Sequence, residues 1–160
     1  MTHEIAPDHA AFLHHGFRRA QAALAVLVAT PALAAPPEKP LATLFKNPQC
    51  GCCESYAAYL RENGYEVKVE ATNDLALIKQ RQGIPQELGG CHTTFVGGYY
   101  VDGHVPIGSF DRLLAERPEL NGITLPGMPA GSPGMGGTKS SPFTIFALAQ
   151  GGERSVYAVE

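Results

Sequence analysis

Three of the chain's four cysteines fall within four residues, in the run Cys50-Gly51-Cys52-Cys53. Cys50 and Cys53 make a C-x-x-C pair and Cys50 and Cys52 a C-x-C pair, so the run reads both as a redox dithiol and as a soft-metal clamp. The fourth, Cys91, is followed directly by His92. Thiolates select Cu(I), zinc or iron–sulfur centres. Structural zinc sites space their cysteines as two separated pairs, and this run is too tight for that. Adjacent Cys52 and Cys53 suit sulfurs that bridge more than one Cu(I) better than they suit a single tetrahedral ion, so the residue types favour copper. His104, in Asp102-Gly103-His104-Val105-Pro106, is either a further or outer ligand or a surface turn histidine. Met128 and Met135 carry thioethers that can meet Cu(I), although methionine more often fills apolar gaps. Two uses without metal stay open: thiol–disulfide exchange through Cys50 and Cys53, and a pair of inert disulfides.

The elements around these residues must bring them together. Leu41 to Lys46 reads as a short strand that Asn47-Pro48-Gln49 ends, since proline cannot continue a central strand. Glu54 to Asn63 has apolar residues at helical spacing (Tyr56, Ala57, Leu60), with Gly64 as its stop. The cysteine run therefore leads into a helix N-terminus, where free N–H groups and the helix dipole favour anionic sulfur and lower thiol pKa values. Gly51 is expected to give the loop the freedom to turn three sulfurs into one space, and Glu54 to be a first-turn carboxylate rather than a general acid. Tyr65 to Val69 alternates as a strand, and Asn73 or Asp74 caps a helix running to Gln82. Ile84 to Gly90 is a loop. Thr93 to Val96 and Tyr99 to Asp102 form a hairpin about Gly97-Gly98, with Tyr99 and Tyr100 alternately buried and exposed. Ser109 to Arg117 is a third helix. Asn121 to Gly137, rich in glycine and proline, is expected to hold no regular element, and Phe143 to Leu148 with Ser155 to Val159 to close the chain as a hairpin.

This order predicts an α/β (α+β) chain with a thioredoxin-like fold: a central mixed sheet flanked by helices, with an extra C-terminal β-hairpin. Such a fold packs the loop entering the third strand, here Cys91-His92-Thr93, against the cysteine loop. Thioredoxin-like oxidoreductases carry a proline at that place. A sulfur and an imidazole there favour metal binding over disulfide exchange.

At 160 residues, 44% hydrophobic and 17% charged, the chain is long enough for one domain and too apolar for a disordered tail. Its net charge of −3 argues against an electrostatic nucleic-acid binder. Arg18-Arg19, the apolar stretch Ala20 to Thr30 and Ala32-Leu33-Ala34 have the order of a secretory signal. The stretch is shorter than the ~20 residues of a membrane span. The expected organisation is a signal peptide over residues 1–34, a proline-rich linker over 35–40 and the metal-binding domain over 41–160, with no stable membrane span after cleavage. His14-His15 would leave with the leader, and the exported protein would work in the periplasm, reached by the general or the twin-arginine route.

Four stretches carry a family resemblance: Lys46 to Cys53 (KNPQCGCC), Cys91-His92-Thr93, Gly103-His104-Val105-Pro106, and Ile123 to Met135 (ITLPGMPAGSPGM). With them the chain resembles the CopG-like copper-resistance proteins, a domain of unknown function, from about Leu41 to its C-terminus. The resemblance implies a thioredoxin-like fold, export and copper handling beside copper efflux and resistance systems. It also implies that Cys50, Cys52, Cys53 and Cys91 bind copper. A part in Cu(I)/Cu(II) interconversion has been proposed for the family, so both a copper oxidoreductase and a copper-binding or chaperone protein fit.

Overall fold

The computed structural model describes residues 38–160. The expected leader, its Arg18-Arg19 pair, the His14-His15 pair and the first part of the linker lie outside the described residues. In chain order the elements are β1 (Ala42–Lys46), α1 (Gly51–Glu62), β2 (Val67–Ala71), α2 (Leu75–Arg81), a single 3₁₀ turn (Gln86–Leu88), β3 (His92–Val96), β4 (Tyr99–Asp102), α3 (Ile107–Glu116), β5 (Gly122–Thr124), β6 (Thr144–Leu148) and β7 (Arg154–Val159). The strands form one seven-stranded mixed sheet in the order β2-β1-β3-β4-β5-β6-β7. The β1–β2 and β4–β5 pairs are parallel and the others antiparallel.

Helix α1 buries Cys53, Tyr56, Ala57 and Leu60, the i, i+3, i+4, i+7 stripe of a helix lying on a sheet. They pack with Leu44, Val101, Ile123 and Ile145 from the strands and with Phe110 and Leu113 from α3. Each such apolar side chain, fully buried, contributes about 1.5–3 kcal/mol. The opposite face of the sheet carries a smaller cluster of Ile84, Leu88, Tyr100 and Leu148, flanked by Phe95 and Phe146. Phe45 and Phe95 meet edge to face there, 5.7 Å apart.

Three sequence expectations change. Tyr99 and Tyr100 do not alternate between core and solvent, being 8% and 1% exposed. The segment around the 3₁₀ turn covers the face that alternation assigned to water. The glycine- and proline-rich segment does hold a regular element, β5, whose three residues pair with both β4 and β6 and so join the C-terminal hairpin to the main sheet. Helix α1 also starts at Gly51 rather than Glu54, so the cysteine run is the first turn of the helix and not a loop ahead of it. The other elements keep their expected order, and the β3–β4 hairpin turns at Gly97-Gly98, both at positive φ. Among the described residues no helix is long and apolar enough to cross a membrane.

Candidate metal centre

The centre lies where the C-terminal end of β1, the first turn of α1 and the residues entering β3 converge. Cys50 is the N-cap of α1, and its N–H donates to the Asn47 carbonyl at 3.0 Å. The turn between strand and helix is held from beneath by Lys46, a lysine only 3% exposed. Its ammonium donates to the carbonyls of Asn47 (3.4 Å), Pro48 (3.2 Å) and Cys50 (3.3 Å) and pairs with Glu54 at 2.9 Å. Glu54 is thus the first-turn carboxylate expected, with a charged partner. Gly51 does not have the role expected of it. Its φ is not positive, and a Cβ there would meet nothing within 4 Å. The helical turn itself brings the three sulfurs together.

In the state described, Cys50 and Cys53 are joined by a disulfide, and Cys52 and Cys91 are free thiols. Cys53 is fully buried and the other three cysteines are half-buried. The Cys52 sulfur lies 3.4 Å from that of Cys50, and the Cys91 sulfur lies 3.5 Å from Cys53 and 3.7 Å from Cys52. Ligand atoms of Cys50, Cys52, Cys53 and Cys91 all lie within 4.8 Å of one another, and so do those of Cys91, His92 and His104. Cys91 belongs to both groups.

His104 is not a surface turn histidine, for it is 0% exposed. Its Nδ1 is 2.6 Å from the Pro133 carbonyl and its Nε2 is 3.0 Å from the Cys91 sulfur. A carbonyl only accepts, so Nδ1 carries the proton and Nε2 presents its lone pair to Cys91. A backbone carbonyl holding the far nitrogen in this way is the usual support of a metal-ligating histidine. His92, also fully buried, has Nδ1 3.4 Å from the same sulfur, and its buried Nε2 has no hydrogen-bond partner among the described residues. The Tyr56 ring packs against both imidazoles, 4.6 Å from His92 and 5.3 Å from His104, which themselves lie 4.9 Å apart, and its hydroxyl donates to the Val105 carbonyl at 2.8 Å.

Burial sets the protonation states. It holds both imidazoles below the ordinary histidine range, His92 far below, where His104 and Lys79 add to the effect. Burial also pushes the Cys91 thiol up to about 12, helped by the neighbouring Cys52 sulfur and opposed by Lys79. The lowering expected of the cysteine run at the helix N-terminus does not extend to Cys91, which enters β3 and whose burial outweighs the opposing pull of Lys79. A soft cation on the sulfur would displace the thiol proton, and the neutral Nε2 of His104, 3.0 Å away, is placed to accept it.

The loop carrying Met128 and Met135 contributes its backbone. Gly134, at positive φ, lies against the Tyr56 backbone so closely that a Cβ would overlap it, and this brings the Pro133 carbonyl to His104. Met128 itself is 54% exposed and Met135 is half-buried. A cavity of about 440 Å³, lined by Asn47, Cys50, Asn73, Leu75, Lys79 and Cys91 among others, gives access to the centre. Sequence reasoning brought forward the four cysteines and both histidines, which the fold gathers. It missed Lys46, Tyr56, Lys79, Asp102 and the Pro133 carbonyl, although Lys46, Asp102 and Pro133 lie in or beside the stretches it singled out.

The family described as "Protein of unknown function, DUF411" matches residues 88–135. Two solved structures of a copper resistance protein, copG, in its Form 2 and Form 1, are each 35% identical to this chain. They superpose with TM-scores of 0.72 and 0.71, covering 77% of this chain and 99% and 98% of theirs. No curated protein matches.

Proposed function

The chain belongs to the CopG-like copper-resistance family, and from that premise we propose that it is an exported copper-binding protein whose reduced cysteine cluster holds Cu(I). The observation that carries this reading is the convergence of four sulfurs within 4.8 Å, with the lone pair of His104 3.0 Å from the one that two ligand groups share. Cys50, Cys52, Cys53 and Cys91 would hold the metal, with His104 and His92 beside Cys91. The donor set fits a soft cation: sulfur favours Cu(I) and imidazole tolerates Cu(II), so a mixed shell suits copper in either oxidation state. The orphaned Nε2 of His92 is the kind of buried polar atom that a bound group satisfies. The disulfide sets a condition: binding by all four sulfurs follows two-electron reduction of Cys50–Cys53. The order of the first elements around this centre supports the thioredoxin-like reading of the fold. Copper chaperones or efflux proteins are the corresponding partners.

The expected result is that reduced, metal-free protein takes up more than one Cu(I) per chain and develops sulfur–copper charge-transfer absorption. Cys91→Ser should weaken that absorption. A loaded sample without the absorption, or one that Cys91→Ser leaves unchanged, overturns the reading. N-terminal sequencing of the protein recovered from the periplasm should begin at Ala35, whereas retention of the leader in the cytoplasm would remove the export claim.

A second reading, thiol–disulfide exchange through Cys50 and Cys53, is favoured by the disulfide itself and by the half-exposed Cys50 sulfur facing the cavity. Reduction of insulin disulfides by the metal-free protein tests it. Robust turnover would support exchange, and its absence together with Cu(I) uptake supports copper.

A further inference from the structure

We propose that Asp102, braced by Lys79, is a positioning residue that sets Cys91 against His104 and so fixes the fourth sulfur of the centre. The inference rests on the copper reading for its purpose, though not for its geometry. Cys91 precedes β3 and His104 follows β4. The ladder between these strands ends with the pair Thr93 and Asp102 and one further bond, from the Gly103 N–H to the His92 carbonyl at 3.0 Å. Asp102 closes the gap beyond the ladder.

Its carboxylate is 0% exposed. One oxygen accepts the Gly90 N–H, and the other accepts the Thr93 hydroxyl at 2.6 Å and pairs with the Lys79 ammonium. Lys79 also donates to the His92 carbonyl at 3.4 Å. Cys91 is therefore gripped on both sides, through the residue before it and through the two after it. The contact leaves no slack, because Gly90 lies against Gly103 so closely that a Cβ on Gly90 would overlap the Gly103 backbone. Swinging Cys91 outward would break the Gly90 bond, and swinging it along the strand would break the Thr93 bond.

A fully buried carboxylate is an expensive way to join two loops. It must be paired and hydrogen-bonded to be tolerated, and apolar groups of the same volume often stabilise a fold as well or better. What the carboxylate adds is direction: three donors from three segments meet at fixed angles. Lys79 also lines the cavity that reaches Cys50 and Cys91, so the clamp and the entrance share a side chain.

The test compares cysteine reactivities in the full chain, reduced and free of metal, with alkylation followed residue by residue by mass spectrometry. Asp102→Asn keeps the shape and one acceptor but loses the charge and the second acceptor. Alkylation of Cys91 is expected to speed several-fold relative to Cys53, which sits in the core, and Cu(I) affinity to fall by about tenfold or more, as when outer partners of metal ligands are removed. If the Cys91 and Cys53 rates rise in step, the residue is merely structural, and if the Cys91 rate is unchanged, the clamp does not place it. Either result overturns the proposal. Should Asp102→Asn fail to fold, Thr93→Val removes a single donor, and an unchanged Cys91-to-Cys53 ratio in that variant overturns it equally. A wild-type chain that binds no Cu(I) would sink the copper reading while leaving the reactivity ratio to decide the positioning role.

Discussion

At the scale of single residues, the centre depends on groups that present no ligand atom. Lys46 is the clearest. A lysine this deeply buried normally loses its charge or finds partners, and here three carbonyls and Glu54 take all of its donors. Lys46→Met keeps the length of the side chain but strands those carbonyls. It is expected to destabilise the protein by about 1–3 kcal/mol, the cost of leaving buried acceptors unmet. Glu54→Gln keeps an acceptor for the buried ammonium but removes its charged partner, and should cost about 1–3 kcal/mol. Chemical denaturation of the disulfide form checks both. Gly51 gives the converse case. Because a Cβ there meets nothing and the residue is helical, Gly51→Ala should fold normally and gain up to about 1 kcal/mol from the better helix former. A fall in the denaturation midpoint would show that the first turn needs glycine after all. The sequence made the candidate ligands legible because cysteine and histidine announce their chemistry by type. Lys46 and Asp102 look like ordinary surface charges until the fold buries them, and the part played by Pro133 is a carbonyl, which no side-chain pattern encodes.

At the scale of elements, the architecture was legible wherever periodicity was strong. Helix α1 showed itself through Tyr56, Ala57 and Leu60, and the hairpin through Gly97-Gly98. The misses share a cause. Strand β5 is three residues long, too short for alternation to register, and exists because β4 and β6 offer edges to pair with. The alternation expected of Tyr99 and Tyr100 failed because the cover on the Tyr100 face comes from a segment with little regular structure of its own. What links the elements into a site is α1. Tyr56 donates to the Val105 carbonyl at 2.8 Å, and the Tyr59 hydroxyl accepts the Ile107 N–H at 2.8 Å. One helix thereby fixes both the segment carrying His104 and the start of α3. Tyr56→Phe leaves the ring stacked on His92 but frees the Val105 carbonyl. It should destabilise the fold by about 1–3 kcal/mol and loosen His104 more than the cysteines. Amide hydrogen exchange should rise first over residues 103–107, and exchange rising first over 50–53 would contradict this division of labour.

At the scale of the whole molecule, two neutral histidines inside the core tie stability to pH. Burial keeps both His92 and His104 below the ordinary histidine range, whereas in the unfolded chain they titrate near pH 6.5. Well above that pH both states hold the imidazoles neutral and nothing is lost. As the pH falls through about 6.5, the unfolded chain takes up protons that the folded one refuses, and stability drops by about 1.4 kcal/mol per pH unit for each histidine fully affected. The loss continues until the folded pKa values are reached, so His92, the more strongly depressed, acts over the wider window. The groups facing these rings are Cys91, Tyr56, Lys79 and the partner imidazole, and among them Lys79 opposes protonation of His92 further. Metal-free protein should therefore melt at progressively lower temperature between pH 7 and pH 5. His104→Gln, which keeps a donor for Pro133, should flatten that slope. Disulfide reduction should matter less. The Cys50–Cys53 bridge spans a sequence separation of only 3, and loops so short gain less than the about 3 kcal/mol that a 15-residue loop does. The fold can thus release its two locked sulfurs without coming apart, and melting of the reduced protein at pH 7 measures this directly. A melting temperature independent of pH in both redox forms would mean that the imidazoles take up protons as readily inside the core as in the unfolded chain, and below about pH 6.5 the lone pair offered to Cys91 would then be gone.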